Sequence, residues 1–189
     1  TLDDQQLGVI CEGFANMRLN VSGSAACPTE VFEDWRQLTG QVLLERYGMT
    51  EIGMALSNPY RGERRPGYVG QPLPDVSVQL VDDAGDVVTE EHIPGEIRIQ
   101  SPTVFLEYWD NPDATAASFE AGWFRTGDIG VVEDGYFRIM GRSSVDIIKS
   151  GGYKLSALEI ENKLLAHPDI VEVAVVGVAD RTWGEAVAA

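Results

Sequence analysis

The chain has 189 residues, 44% of them hydrophobic and 23% charged, a composition that suits one or two globular domains and not a disordered or fibrous chain. Its 14 basic and 30 acidic residues leave a net charge of −16, a field that repels phosphate backbones and anionic lipid and so argues against nucleic acid or a membrane surface as partner. No apolar run is long enough for membrane insertion, and most of the acids, spread along the chain, are expected on solvated faces.

The opening, TLDDQQLGVICEG, lacks the basic and long apolar regions of a signal peptide. Residues 17–23 (MRLNVSG) predict a strand running into a small-residue turn, SGSAA. Residues 28–40 (PTEVFEDWRQLTG) predict a short helix. Proline stands at its first helical position, acids follow, the apolar residues share a face and a glycine ends it. QVLLERY is expected to be a buried strand, and the strand–helix–strand order implies an α/β layer. Residues 58–74 (NPYRGERRPGYVGQPLP) form a loop long enough to be functional, with Arg61, Arg64 and Arg65 expected to face solvent. VSVQLVDDAGDVV predicts a hairpin turning at DDAGD, and GEIRIQS alternates as a strand. NPDATAASF predicts a short helix, and GWFRTGDIGVVEDGYFRIMGR two strands around Asp134 and Gly135. These strands make a β-rich subdomain attached to the α/β part.

Beyond them, SVDIIKSGGYKL predicts a strand and a glycine turn. SALEIENKLLAH predicts a helix with a Ser156–Glu159 capping box and an apolar stripe at Leu158, Leu164 and Leu165. IVEVAVVGVAD predicts a buried strand. This second unit has a βαβ-like start and no closing element before Ala189, and the boundary between the units falls within residues 141–145. Cys11 and Cys27 form no CxxC and no disulfide framework, which points to a reducing compartment: the cytoplasm or, in a eukaryote, the mitochondrial matrix. His92 and His167 lack companion ligands for zinc, and His167 is expected to close a helix.

Residues 45–51, ERYGMTE, put two acids, a guanidinium, a phenol and a hydroxyl around one glycine between two apolar segments. A surface turn is one reading, with Thr50 as a helix N-cap and Glu51 as partner of the helix dipole. A site for a metal and an anion is the other. Asp128 in RTGD reads as a turn acid, and Gly151 with Gly152 as a tight turn needing positive φ.

Taken in order, SGSAA, ERYGMTE, GEIRIQSPTVFLEYW, GWFRTGD and GRSSVDIIKSGGYKLSALEIE resemble the adenylate-forming superfamily: acyl-CoA synthetases, firefly luciferase and the adenylation domains of peptide synthetases. The resemblance runs from near Asn20 to Glu161. It implies that residues 1–141 are the C-terminal part of a large adenylation domain. Residues 142–189 would be the hinge and the beginning of a small, mobile α+β domain. The implied chemistry is an ATP-dependent ligation. A carboxylate attacks the α-phosphate, an acyl-adenylate forms, pyrophosphate leaves and a thiol takes the acyl group. ATP, Mg²⁺ and CoA as co-substrate follow from the resemblance, with a small-molecule acid as partner.

By motif match, Thr50 offers its hydroxyl to phosphate and Glu51 binds the Mg²⁺, a task for oxygen ligands. Tyr47 packs on the adenine, with Ser24, Ala25 and Ala26 on its other side and Gly48 and Met49 in the same nucleotide-binding stretch. Asp128 accepts from the ribose hydroxyls and Arg142 reaches the ribose. Gly151, Gly152 and Lys154 lie on the path of the CoA arm. The hinge falls in residues 143–146. The spacing GRSSVDIIKSGG is one residue longer than in many superfamily members, so Ser144, Val145 and Asp146 all remain candidates for it.

Arg46 stands where luciferase-like and coumarate-ligase-like members typically have glycine. A buried, unpaired guanidinium is costly; it makes sense if the acyl group brings a second carboxylate, which guanidinium pairs bidentately. ERYGMTE, GERRPGYVGQPLP and the long glycine spacing resemble malonyl-CoA synthetases. The alternative is that Arg46 pairs with Glu45 or another nearby acid and faces away. Arg18 is a further candidate for the acid. Two family parts, the Ser/Thr/Gly-rich phosphate loop and the lysine of the adenylation step, are expected before Thr1 and beyond Ala189, so the chain reads as an internal piece without adenylation activity of its own. Its cut sheets are expected to expose apolar edges. Two other readings stay open: another ligase or carrier-charging adenylation domain, and a non-catalytic nucleotide-binding or interaction module.

Overall fold

The computed structural model describes residues 3–189 and begins with a helix not anticipated from the sequence, α1 (Asp4–Ala15). Asp3 caps it: its carboxylate accepts the Gln6 N–H at 2.8 Å while the Gln6 side chain accepts the Asp3 N–H at 3.2 Å, a reciprocal box. None of its residues is buried, so it shows no clear apolar period. The expected first strand shrinks to β1 (Val21–Ser22). The Gln41 side chain takes the Ala15 and Met17 carbonyls at 2.6 and 2.7 Å, so a side chain replaces a ladder there. Next, α2 (Thr29–Thr39) starts one residue later than expected, with Pro28 as its cap, and ends at Gly40 in the left-handed region at φ 71°.

Then come β2 (Leu44–Met49), antiparallel β3 (Gly53–Ser57) and β4 (Gln71–Pro72). β1 and β2 pair in parallel on either side of α2, which is the expected α/β unit. The sheet order is β1-β2-β3-β4. In the loop before β4, Arg64 and Arg65 correct the expectation of solvent-facing side chains. Arg64 donates to the Val42, Tyr60 and Pro59 carbonyls at 2.6, 2.9 and 3.3 Å. Arg65 stacks on Tyr136 and pairs with Glu63 and Asp134. Guanidinium forks hold together a loop that has few ladder bonds of its own.

The second sheet contains β5 (Ser77–Val81), β6 (Val87–Val88), β7 (Gly95–Gln100), β8 (Phe119–Glu120), β9 (Trp123–Glu133) and β10 (Tyr136–Arg142), with α3 (Pro112–Ala117) before β8. Its path is β10-β9-β7-β5-β6, with β8 on β9. One core, including Ile52, Leu56, Ile97, Ile99 and Phe124, joins the first two sheets.

The chain continues through β11 (Ile147–Ser150), β12 (Tyr153–Ser156), α4 (Ala157–Leu165), β13 (Val176–Asp180) and β14 (Gly184–Ala188). This third sheet runs β12-β11-β14-β13, antiparallel throughout. It corrects three expectations. The strands around α4 are not neighbours, since β11 and β14 lie between them, so the unit is α+β rather than βαβ. β13 is mostly exposed, because α4 packs on Val173 and Val175, which precede the strand. Half of the capping box forms: Ser156 Oγ accepts the Glu159 N–H at 3.1 Å, but the Glu159 carboxylate lies 3.4 Å from Arg138 instead of reaching back. His167 lies just past α4, bonded to the Leu164 carbonyl as expected of a helix end. Among the described residues no helix is long and apolar enough to cross a membrane.

Candidate active site

The ERYGMTE motif lies along β2 and into the turn that leads to β3. Thr50, Glu51 and Ile52 form that turn. Thr50 is therefore not a helix cap; the chain reverses there, with Ile52 buried and its N–H bonded to the Met49 carbonyl at 3.1 Å. Gly48 permits a close approach of the strands, since a Cβ there would sit 2.2 Å from the Gly53 carbonyl oxygen. The Met49 side chain packs partly against the core.

These residues line a cavity of about 940 Å³, within the usual range for small-molecule sites. Ser24, Ala25 and Ala26 line it too, as do Asp128, Arg142 and the exposed side of α4. The Tyr47 phenol donates to Asp128 Oδ2 at 2.5 Å, and Arg142 Nε lies 3.1 Å from Oδ1. Burial pushes the Asp128 carboxyl up, against the pull of Tyr47 and Arg142. Burial and the neighbouring Asp128 hold the Tyr47 phenol far above its ordinary range, so it stays a donor. Three residues read separately from the sequence thus form one bonded cluster.

Glu51 Oε1 accepts the Tyr108 hydroxyl at 3.0 Å. Burial, with the Glu51 bond, also raises the Tyr108 phenol. The sequence does not single out Tyr108; it lies within the GEIRIQSPTVFLEYW motif, but nothing local pairs it with an acid 57 positions away. Nor does the sequence single out Glu45, except as a partner for Arg46. It is 7% exposed, and burial lifts its carboxyl to about 7, although the Gly67 N–H at 2.7 Å favours the charged form. An ionisable residue closing the apolar run VLL was the available signal.

Arg46 lies across Gly23, where a Cβ would be 2.7 Å from its Nη1. It borders the cavity and a neighbouring groove of about 540 Å³. Among the described residues no carboxylate lies within 4.0 Å of its guanidinium. The pairing with Glu45 is absent, because that carboxylate turns to Gly67.

Other candidates lie elsewhere. Gly151 and Gly152, at φ 59° and 87°, form the tip between β11 and β12, away from the cavity lining. Lys154 Nζ sits 2.9 Å from Asp83. In the turn at 143–146, Ser144 and Val145 are exposed, whereas the Asp146 carboxylate accepts the Arg142 N–H at 2.8 Å. Among the described residues no cluster of three His, Cys, Asp or Glu could cage a metal. A lone carboxylate such as Glu51, with Oε2 free of protein donors among the described residues, instead suits a cation that takes its remaining ligands from phosphates.

A model for "AMP-binding enzyme" matches residues 8–109, and one for "AMP-binding enzyme C-terminal domain" matches residues 159–189. The bovine protein named mitochondrial malonate–CoA ligase ACSF3 is 51% identical over 95% of this chain and 34% of its own. The solved structure of ATP-bound MatB from Rhodopseudomonas palustris superposes with a TM-score of 0.83 at 42% identity, covering 90% of this chain and 34% of that one. A malonyl-CoA ligase ternary product complex with methylmalonyl-CoA and AMP gives 0.68 at 46% identity, over 97% and 40%. The chain spans about a third of the length of the curated relatives it matches. Matched by the first of these models over residues 8–109 of its 189, the chain belongs to the AMP-binding enzyme family.

Proposed function

We propose that this chain is part of an AMP-forming ligase that joins malonate, or a related small dicarboxylic acid, to CoA at the expense of ATP. The observation that carries the acid is Arg46: a guanidinium on the cavity wall without a carboxylate to pair with among the described residues. A neutral acid would leave that cation desolvated and unpaired, whereas a second carboxylate would form a charge-assisted fork with it. The bovine relative's name and the methylmalonyl-CoA complex support the same choice.

In this reading Tyr47, Ser24, Ala25, Ala26, Gly48 and Met49 hold the adenine. Asp128, pre-oriented by Tyr47 and Arg142, accepts from the ribose hydroxyls, and Arg142 follows the ribose. Thr50, exposed on its turn, donates its hydroxyl to a phosphate oxygen. Glu51, steadied by Tyr108, would hold Mg²⁺, which when bound would supply charge neutralisation at the phosphate oxygens. The protein's share of the catalysis is then positioning, with fixed dipoles aimed at developing charge. Gly151, Gly152 and Lys154 would meet CoA only after the unit from residue 142 onward moves about the 143–146 turn, with Asp146 the hinge residue best tied to both sides. A soluble compartment is proposed, the mitochondrial matrix if the source is eukaryotic, in keeping with the bovine relative's name.

The test is Arg46→Ala in the full-length protein carrying this chain. Losing one charge-assisted bond costs roughly 1.5–3 kcal/mol. Malonate should therefore lose about ten- to a hundredfold in kcat/KM relative to a neutral short acid such as acetate. An equal loss for both acids would remove Arg46 as selector and leave the ligase without its acid.

A further inference from the structure

The segment from Ile147 onward has a core of its own, built on Ile148, Ala157 and Val175 and separate from that of the first two sheets. It follows the exposed turn 143–146, where Val145 is 78% exposed. Its ties to the body are few: Ile147 packs on Ile129, Val131 and Met140, Ser156 Oγ donates to the Met140 carbonyl at 2.5 Å, and Glu159 approaches Arg138 at 3.4 Å. Two units joined by a small, partly polar contact are expected to move relative to one another.

A further tie is of another kind. Asp83 sits in the turn of the β5–β6 hairpin, distant in sequence from the third sheet. Lys149 and Lys154 stand directly opposite each other across β11 and β12. Like charges so placed repel and weaken the pair. Asp83 answers both: Oδ1 lies 2.9 Å from Lys154 Nζ and Oδ2 lies 3.4 Å from Lys149 Nζ. The Lys154 side chain is only 16% exposed there, and the two ammonium groups hold the Asp83 carboxyl below its ordinary range.

We propose that Asp83 is a positioning residue that latches the carboxy-terminal unit, through Lys149 and Lys154, in the arrangement that brings α4 over the cavity. Leu158, Glu159, Asn162 and Lys163 line the cavity in this arrangement, and releasing the latch lets that wall swing away. The Asp83 and Lys149 ends are exposed, so the contact is weak, salt-sensitive and reversible. A movable wall needs that; an apolar seam extending beyond the small Ile147 contact would freeze it. The latch stands on its own geometry, and only its effect on nucleotide chemistry rests on the ligase reading above.

The test follows trypsin cleavage after Arg142, at the exposed turn, in the full-length protein. Asp83→Lys should speed that cleavage about three- to tenfold at low salt, since it turns attraction into repulsion. Asp83→Lys combined with Lys149→Asp should return the parent rate. Asp86→Asn, in the same turn and without a lysine partner among the described residues, should change nothing. Unchanged cleavage in Asp83→Lys, or failure of the swap to restore it, overturns the latch. Pyrophosphate exchange with ATP and malonate on the same proteins tests the positioning. A parallel fall and recovery supports it, and exchange that ignores Asp83→Lys while cleavage responds overturns it. If the parent protein shows no exchange but cleavage follows the pattern, the latch stands and the ligase reading falls.

Discussion

Glu45 shows how much a single side chain can carry. Its carboxyl is lifted by burial from 4.5 to about 7, so the folded chain binds its proton more tightly than the unfolded chain does. For this group, stability is fully present below about pH 4.5, declines as pH rises through about 7 and is flat above. The span is on the order of 3 kcal/mol. Glu45→Gln keeps an acceptor for the Gly67 N–H and removes the charge. It should be more stable than the parent by about 2–3 kcal/mol at pH 8 and by less than about 1 at pH 5, by urea unfolding. The same gain at both pH values would show that the carboxyl ionises freely in the fold. The candidate site was legible from sequence where its cavity-lining residues are contiguous: Arg46, Tyr47, Thr50 and Glu51 sit in one motif. It was not legible where a partner arrives from elsewhere. The Tyr47–Asp128 bond spans 81 positions and the Glu51–Tyr108 bond 57, and no local pattern encodes either.

Among the elements, the first two sheets meet at a glycine. Gly70 bridges to Phe137 on β10, with φ 92° and a position where a Cβ would lie 2.0 Å from the Ser57 carbonyl. Backbone cannot yield as a flexible side chain can, so Gly70→Ala combines left-handed strain with overpacking. A loss of at least about 3 kcal/mol is expected by urea denaturation. Gly85→Ala, equally left-handed at φ 91° but with open space around it, should lose only about 1–2 kcal/mol, since strain acts alone there. Equal losses at the two positions would show that the sheets can part to admit a methyl group. The elements legible from sequence were those whose turns are written in side chains: α2 ends at Gly40, the DDAGD stretch turns β5 into β6, and Asp134 with Gly135 turns β9 into β10. α1 escaped because nothing on it is buried. β13 departs from the expected buried strand because an apolar run signals burial only if something in the fold covers it, and α4 covers the residues before it.

For the molecule as a whole, two tendencies oppose each other. The net charge of −16 keeps copies apart. β13, at the sheet edge, leaves Val176 and Val178 55% and 51% exposed on one face, and an unpaired apolar edge is a template for pairing with another chain. Range decides between them. The Debye length is about 30 Å at 0.01 M salt and about 10 Å at 0.1 M, so repulsion spread over the whole surface weakens with salt while edge pairing and valine burial do not. The 189-residue chain should therefore sediment as a monomer at about 0.01 M NaCl and associate progressively above about 0.1 M. Val178→Lys puts a charge on the edge itself, where screening over a few ångströms is incomplete, and should keep the chain monomeric across that range. Val87→Lys, at a valine as exposed as these but on the β6 edge of the second sheet, separates the causes. If it suppresses association as well as Val178→Lys does, added charge or the other edge is responsible and β13 is not the contact.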